Sequence, residues 1–112
     1  MMEFRLIAFA LASAASISFS AAADDLTRGE TVYKGTCLAC HGSDGAGSLP
    51  GVPDLAAKTG PLSQDDAVLL KRMADGFRSP GSPMGMPPRG GNPDLTDADL
   101  KAVLKYMRKE FQ

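Results

Sequence analysis

The sequence predicts an all-α domain in which three helices are joined by two long loops. Each of three stretches begins with a residue that caps helices well and continues with apolar residues at helical spacing. Segments 42–59 and 78–93, which are rich in glycine and proline, separate these stretches and break any long regular element. No strand is predicted, so the helices and loops must form the whole domain.

The first helix is predicted to begin near Thr27, because Thr27 and Glu30 have the spacing of a capping box. Val32 and Tyr33 then fall on one side of this helix. Gly29 lies inside it, where glycine costs stability relative to alanine. A second helix that approaches closely at this point would explain the glycine.

The second helix is expected over residues 63–75, with Ser63 as its cap and acidic residues in its first turn. Gly76 has the position of a glycine that ends a helix. The apolar residues at helical spacing are Leu69, Leu70, Met73 and Phe77.

The third helix is expected to start at Thr96, with Asp99 three residues after this cap. Its basic residues lie mostly off the apolar face and towards the C-terminal end, which suits the helix dipole. The apolar face consists of Leu100, Val103, Leu104, Met107 and Phe111.

Cys37, Cys40 and His41 form a Cys-x-x-Cys-His segment, which is the attachment signature of a c-type haem. The two thiols can each add to one vinyl group of the haem, and the next residue places its imidazole under the iron. The chain has two cysteines and one histidine in all, and every one of them lies in this segment.

Three other interpretations of this segment fit less well. A zinc site needs about four nitrogen or sulfur ligands, and only three are present. A thioredoxin-like dithiol should follow a strand, and none is predicted. A disulfide between Cys37 and Cys40 would leave His41 unexplained.

Residues 1–23 have the pattern of a signal peptide. Arg5 lies in a short first region, an apolar stretch follows, and small residues precede a cleavage point after Ala23. A retained membrane anchor is the weaker alternative, since the apolar stretch is shorter than the roughly 20 residues that a spanning helix needs. We therefore expect one domain, 24–112, in the periplasm, without a membrane span after cleavage.

Composition argues against several classes of function. The net charge is −1, and no basic run or aromatic-basic pattern is present, so nucleic-acid binding has no support. No phosphate-binding glycine loop or dinucleotide fingerprint occurs either.

Methionine offers the candidates for a second axial ligand of the iron. Met73 and Met107 lie on apolar helix faces, where methionine is usually core filler. Met84 and Met86 lie in the second loop, where helix packing explains neither. Met86 is favoured because Pro87 restricts the backbone conformation of the residue before it, and Met84 is the second candidate.

These residues together resemble the small bacterial class I cytochromes c over almost all of 24–112. The resemblance implies a small cytochrome c fold, in which three main helices and their loops surround one covalently bound haem. It also implies that the first and last helices cross at Gly29 and Tyr106. The matching segments are Gly29 with Val32 and Tyr33, the Cys37–Gly42 segment, Pro53–Leu55, Met86–Gly91 and Leu100–Met107.

The resemblance implies a role for each matched position. Cys37 and Cys40 would form the thioether bonds to one haem c. His41 would be the proximal metal ligand and Met86 the distal one. Leu55 would pack on the haem.

Two polar roles are also implied. Through its carbonyl, Pro53 would accept a hydrogen bond from the second ring nitrogen of His41, and Pro50 is the alternative. Many relatives place a tryptophan near a haem propionate, but this chain has none. Arg89 and Gln64 are the candidates for that role.

The sequence thus predicts a soluble periplasmic electron carrier and not an enzyme. Iron held by histidine and methionine has no free position for a substrate and alternates between Fe(II) and Fe(III). We expect a monomer that meets redox proteins transiently over a small patch. The alternative is a haem enzyme or gas-binding sensor with a labile distal ligand; a third possibility is an electron-carrying subunit of a larger complex.

Overall fold

The computed structural model of the chain describes residues 8, 10–14 and 21–112. Within them the only strand-like feature is a single antiparallel bridge between Phe77 and Met86. The all-α prediction is therefore confirmed. The helices are α1 (Ala21–Val32), which continues through a π-helical turn (Tyr33–Cys37) into α2 (Leu38–His41), then α3 (Asp66–Asp75) and α4 (Asp97–Phe111), with 3₁₀ turns at Pro61–Ser63 and Pro88–Gly91.

Helices α1 and α4 cross at Gly29. A Cβ atom on this residue would lie 2.2 Å from the carbonyl oxygen of Ala102 and 2.8 Å from the Cβ of Tyr106. Only glycine lets the two backbones approach so closely. The expectation that Gly29 and Tyr106 mark a helix crossing is confirmed.

Two ion pairs also join these helices near the crossing. Lys105 of α4 donates to Asp25 of α1 at 2.6 Å, and Arg28 of α1 pairs with the buried Asp99 of α4. Asp99 also accepts from the backbone amide of Thr96, and this bond, together with Arg28, lowers the pKa of its carboxyl group. The start of α4 is thereby fixed relative to α1.

The core forms where the apolar faces of α1, α3 and α4 meet. Tyr33 and Val103 are each only 1% exposed. The rings of Tyr33, Tyr106 and Phe111 form a cluster with centroids 5.3 to 6.5 Å apart. The other buried apolar residues are Val32, Leu55, Leu62, Leu69, Met73, Leu100, Ala102, Leu104 and Met107.

The predicted starts of two helices are wrong. α1 (Ala21–Val32) is already helical at Ala21, the first residue of the described range 21–112, so Thr27 lies inside this helix and does not start it. α3 begins at Asp66 because Ser63 lies in a 3₁₀ turn and donates its hydroxyl proton to the carbonyl of Gly60 at 2.6 Å instead of capping the helix.

Two other helix-end predictions agree with the structure. Thr96 and Asp99 form a reciprocal capping box at the start of α4. Gly76 ends α3 with a φ of 81°.

The predicted signal segment 1–23 lies mostly outside the described residues, and among the described helices none is long and apolar enough to cross a membrane.

Replacing Gly29 by Ala should lower the free energy of unfolding of the protein by about 2 kcal/mol, because the methyl group would force two packed backbones apart. Denaturant unfolding followed by circular dichroism measures this loss. Gly35→Ala is the matched control, since a Cβ at Gly35 would meet no atom within 4 Å. Equal stability of the two variants would contradict the close crossing.

Candidate functional site

A cavity of about 490 Å³ lies between the helices and the two long loops. This volume is within the range of small-molecule and cofactor sites. Its lining is predominantly apolar, with contributions from α3, α4 and both loops. The cavity brings together Cys37, Cys40 and His41 from the predicted haem segment and Met84 and Met86 from the second loop.

The helical course of the Cys-x-x-Cys-His segment explains how one short stretch supplies three functional side chains. The π-helical turn ends at Cys37 and α2 carries Cys40 and His41, so the two cysteines lie about one turn apart on neighbouring positions of one face. Both cysteines are half-buried and neither forms a disulfide. Burial, together with the nearby Cys40, raises the pKa of the Cys37 thiol to about 11. Redox-active dithiols have a lowered pKa instead.

His41 is half-buried, and this burial lowers the pKa of its imidazole. The neutral ring is therefore favoured, which is the form that binds a metal ion. Its Nδ1 atom is buried and has no hydrogen-bond partner among the described residues. The predicted bond from His41 to the carbonyl of Pro53, or of Pro50, is thus not formed in this structure, although Pro53 does line the cavity.

The first loop is instead attached to α2 through backbone hydrogen bonds. The amide of Gly47 donates to the carbonyl of His41 at 2.9 Å, and that of Ser48 donates to Cys40 at 2.8 Å. The amide of Leu55 donates to Gly45 at 2.8 Å, which folds the loop back on itself. Leu55 is 5% exposed and lines the cavity, as does Pro53, so this loop forms one of its walls.

Tyr33 connects the end of the haem segment to the core. Its hydroxyl donates to the carbonyl of Gly42, the residue after His41, at 2.5 Å. Burial raises the pKa of the Tyr33 phenol to about 12. The neutral phenol therefore holds the C-terminal end of α2 in place.

Met86 and Met84 both line the cavity, but their backbones are held differently. Met86 accepts a hydrogen bond from the amide of Phe77 at 3.0 Å and donates one to the carbonyl of Phe77 at 2.8 Å. It is partly buried against the core. Met84 is 42% exposed, and its hydrogen bonds run to the side chain of Ser82, two residues away in the same loop.

Arg72 is the one charged side chain, besides the titratable groups of the haem segment, among the described residues that line the cavity. Its guanidinium carbon lies 3.9 Å from the centre of the Phe77 ring, a cation–π contact. From the sequence, Arg72 is only a basic residue near the end of a helix. The signal that could have indicated its place at the cavity is that it directly precedes Met73, which lies on the inner face of α3. Of the residues considered for a propionate, Gln64 lines the cavity and Arg89 does not.

The residues present fit a covalently bound haem. Two unpaired thiols and a neutral imidazole share the cavity with two thioethers, which are donors that suit iron. The apolar lining suits a flat macrocycle, and the positive charge of Arg72 suits its carboxylates.

Stability should fall above pH 10 because of Tyr33. The phenol has a pKa of about 10 in the unfolded chain and about 12 in the folded one. Its contribution is therefore complete below pH 10 and is lost by pH 12, which amounts to about 2–3 kcal/mol. Tyr33→Phe should cost about 1 kcal/mol at pH 7, through the lost hydrogen bond, and flatten the alkaline decline. Denaturant unfolding from pH 7 to 12 compares the two proteins, and parallel profiles would contradict this role.

Comparison with known proteins agrees with the site. The protein-family model described as Cytochrome c matches residues 26–110. Cytochrome c-555 of Prosthecochloris aestuarii is 36% identical over 95 residues, which cover 77% of this chain and 88% of that protein. Cytochrome c-555 of Chlorobaculum tepidum is 34% identical over 104 residues, which cover 92% and 94%.

A segment of lupanine 17-hydroxylase [cytochrome c] from a Pseudomonas species is 39% identical over 71 residues, which cover 63% of this chain and 9% of that protein. No solved structure matches the chain significantly. The family match runs from within α1 to the last turn of α4 and contains the whole Cys-x-x-Cys-His segment. The chain belongs to the cytochrome c family of electron-transport proteins, and its cofactor is haem c, attached covalently at the Cys-x-x-Cys spacing of Cys37 and Cys40.

Proposed function

We propose that this protein is a periplasmic electron carrier in which His41 and Met86 are the two axial ligands of one haem c. Cys37 and Cys40 provide the thioether bonds. The observation that carries the proposal is the position of Met86: two hydrogen bonds to Phe77 fix its backbone beside a cavity that the haem segment also lines. When bound, the haem supplies one-electron chemistry between Fe(II) and Fe(III).

The protein residues hold that iron in the same surroundings in both oxidation states. His41 binds as a neutral imidazole, which its burial favours. Met86 contributes a thioether, a soft donor that favours Fe(II) and raises the reduction potential. Because two hydrogen bonds to Phe77 fix its backbone, Met86 would need to move little between the two oxidation states of the iron.

The apolar walls keep water away from the site. Leu55 is 5% exposed, Leu62 3% and Leu69 7%, and all three line the cavity. A dry surrounding disfavours the additional positive charge of Fe(III), so it acts in the same direction as the methionine ligand.

Two protein ligands leave no iron position for a substrate, which is why we propose a carrier and not an enzyme. We further propose a monomer that docks transiently with redox proteins. A second candidate is an electron-carrying unit of a larger oxidoreductase. The observation in its favour is that the matched segment of lupanine 17-hydroxylase forms only 9% of that protein.

Export with cleavage after Ala23 completes the proposal. The periplasmic protein should have the mass of residues 24–112 plus one haem, which mass spectrometry of the purified protein would establish. An intact N-terminus, or recovery of the haem-loaded protein from the cytoplasm alone, would overturn this part.

Met86→Ala should abolish the weak Fe–S charge-transfer band in the near-infrared spectrum of the oxidised protein, whereas Met84→Ala, the matched control, should keep it. The expected reason is that Met86 provides the sulfur ligand. The opposite pattern would assign the ligand to Met84. A wild-type protein without this band, whose reduced form binds carbon monoxide at once, would be the sensor or enzyme instead.

A chain without haem should be largely unfolded. Cys37→Ala combined with Cys40→Ala prevents covalent attachment and leaves a cavity of about 490 Å³. At about 24 cal/mol per Å³, such a void costs up to about 12 kcal/mol, which is similar to the whole stability of a small domain. Circular dichroism should show little helix, and native-like helix content in the haem-free variant would contradict the expectation.

A further inference from the structure

Arg89 has an unusual backbone conformation for a residue with a side chain. Its φ of 54° and ψ of 30° lie in the left-handed region, and it is the one residue other than glycine with a positive φ in the described part of the chain. Gly90 and Gly91, which follow it, have φ values of 65° and 87°. A glycine at 89 would adopt the same conformation without the cost that a Cβ imposes.

Two side-chain contacts explain an arginine at this position. Its Nη1 atom donates to the carbonyl of Leu95 at 2.9 Å, and its Nη2 atom donates to Asp97 Oδ1 at 2.8 Å. Both acceptors lie at the start of α4, one just before the Thr96 cap and the other in the first turn. The Arg89 side chain is 28% exposed but that of Asp97 is 78% exposed, so water screens the ion pair. The bond to the carbonyl of Leu95 is part-buried and is the better shielded of the two contacts.

These contacts fix one end of the segment 86–91, which we call the Met86 strap. The other end is fixed by the two hydrogen bonds between Met86 and Phe77. Between the two ends lie Pro87 and Pro88, which have no amide proton and cannot anchor the strap through a backbone donor. The side chain of Arg89 is thus the tie that joins the strap to α4.

The strap also rests against the segment that carries the first haem cysteine. A Cβ on Gly90 would lie 2.9 Å from Thr36 Cγ2, and Asn92 Nδ2 is 3.5 Å from Thr36 Oγ1. The close contact at Gly90 therefore prevents a shift of the strap towards Cys37. The contacts of Arg89 oppose movement in the other direction, away from Cys37.

We propose that Arg89 is a positioning residue for Met86, whose guanidinium fastens the strap to α4 and so keeps the thioether at the iron. The proposal rests on the axial ligation by His41 and Met86 proposed above. When the tie is lost, the strap opens more often and an external ligand reaches the iron more easily. The backbone strain at Arg89 is retained because a glycine could not make these contacts.

Cyanide binding to the oxidised, haem-loaded protein measures how often the strap opens. Arg89→Gly removes the tie together with the backbone strain, and should raise the rate of cyanide binding about tenfold, the order expected when hydrogen bonds of this strength are lost from a closed state. It should also lower the temperature at which the Fe–S charge-transfer band disappears, before the helices unfold. A purely structural arginine would leave the band and global unfolding coincident.

Two further variants make the test independent of any general loss of stability. Asp97→Asn leaves the backbone of Arg89 and its bond to Leu95 unchanged, and should raise the cyanide rate by a smaller factor of about three. Arg78→Ala removes a charge from the same loop, at a residue with no hydrogen bond or ion pair among the described residues, and should leave the rate unchanged.

The outcomes distinguish this inference from the proposed function. A wild-type band that depends on Met86, together with unchanged cyanide rates in Arg89→Gly and Asp97→Asn, overturns the role of Arg89 and leaves the carrier intact. A rise in Arg78→Ala equal to that in Arg89→Gly also overturns it, since charge alone would then be the cause. A wild-type protein without a Met86-dependent band overturns both.

Discussion

The cavity of about 490 Å³ is the constraint on which the rest of this structure depends, because it lies where a domain of this size needs its core. Leu55, Leu62 and Leu69 are almost fully buried in the protein, yet each faces this space as well as its neighbours. Covalent attachment solves a problem that ordinary binding would leave open. A cofactor that cannot dissociate supplies the missing interior at every protein concentration, whereas a reversible ligand would stabilise the fold only in excess.

The crossing of α1 and α4 has a different part in the same architecture. The contacts that hold this crossing do not involve residues that line the cavity. They are the close approach at Gly29, the ion pairs of Arg28 and Lys105, and the aromatic cluster around Tyr33. Since α1 runs directly through the π-helical turn into the haem segment, this rigid pair sets the position of Cys37, Cys40 and His41. Tyr33 belongs to both parts, because its ring packs in the cluster while its hydroxyl holds Gly42.

The sequence predicted local structure correctly where one residue type determines one conformation. Thr96 with Asp99, Gly76 and Gly29 all had a specific local meaning, and each is found in that role. It failed where two local possibilities compete: Ser63 can cap a helix or close a turn, and the turn following Pro61 prevailed. The contacts of Arg72 with Phe77 and of Arg89 with Leu95 and Asp97 join residues five to eight positions apart. They depend on the path that the chain takes after α3 and before α4, which spacing along the chain does not encode. The predicted partner of His41 Nδ1 also depended on the path of a loop, and this atom has no partner among the described residues. For the same reason, the axial role of Met86 stays a prediction.

The way in which the loop around Met86 is held in place follows from the properties of its two consecutive prolines. Pro87 and Pro88 limit the backbone conformations of the strap but remove two amide donors, so local backbone hydrogen bonds alone cannot hold it. Without a second attachment, a rigid segment of this kind could move as one body away from the haem segment and carry the methionine with it. Fixing both ends is therefore required, and the chain uses a backbone bridge at Phe77 on one side and a side-chain tie at Arg89 on the other. A helix could not replace this arrangement, because two consecutive prolines in its interior would break it.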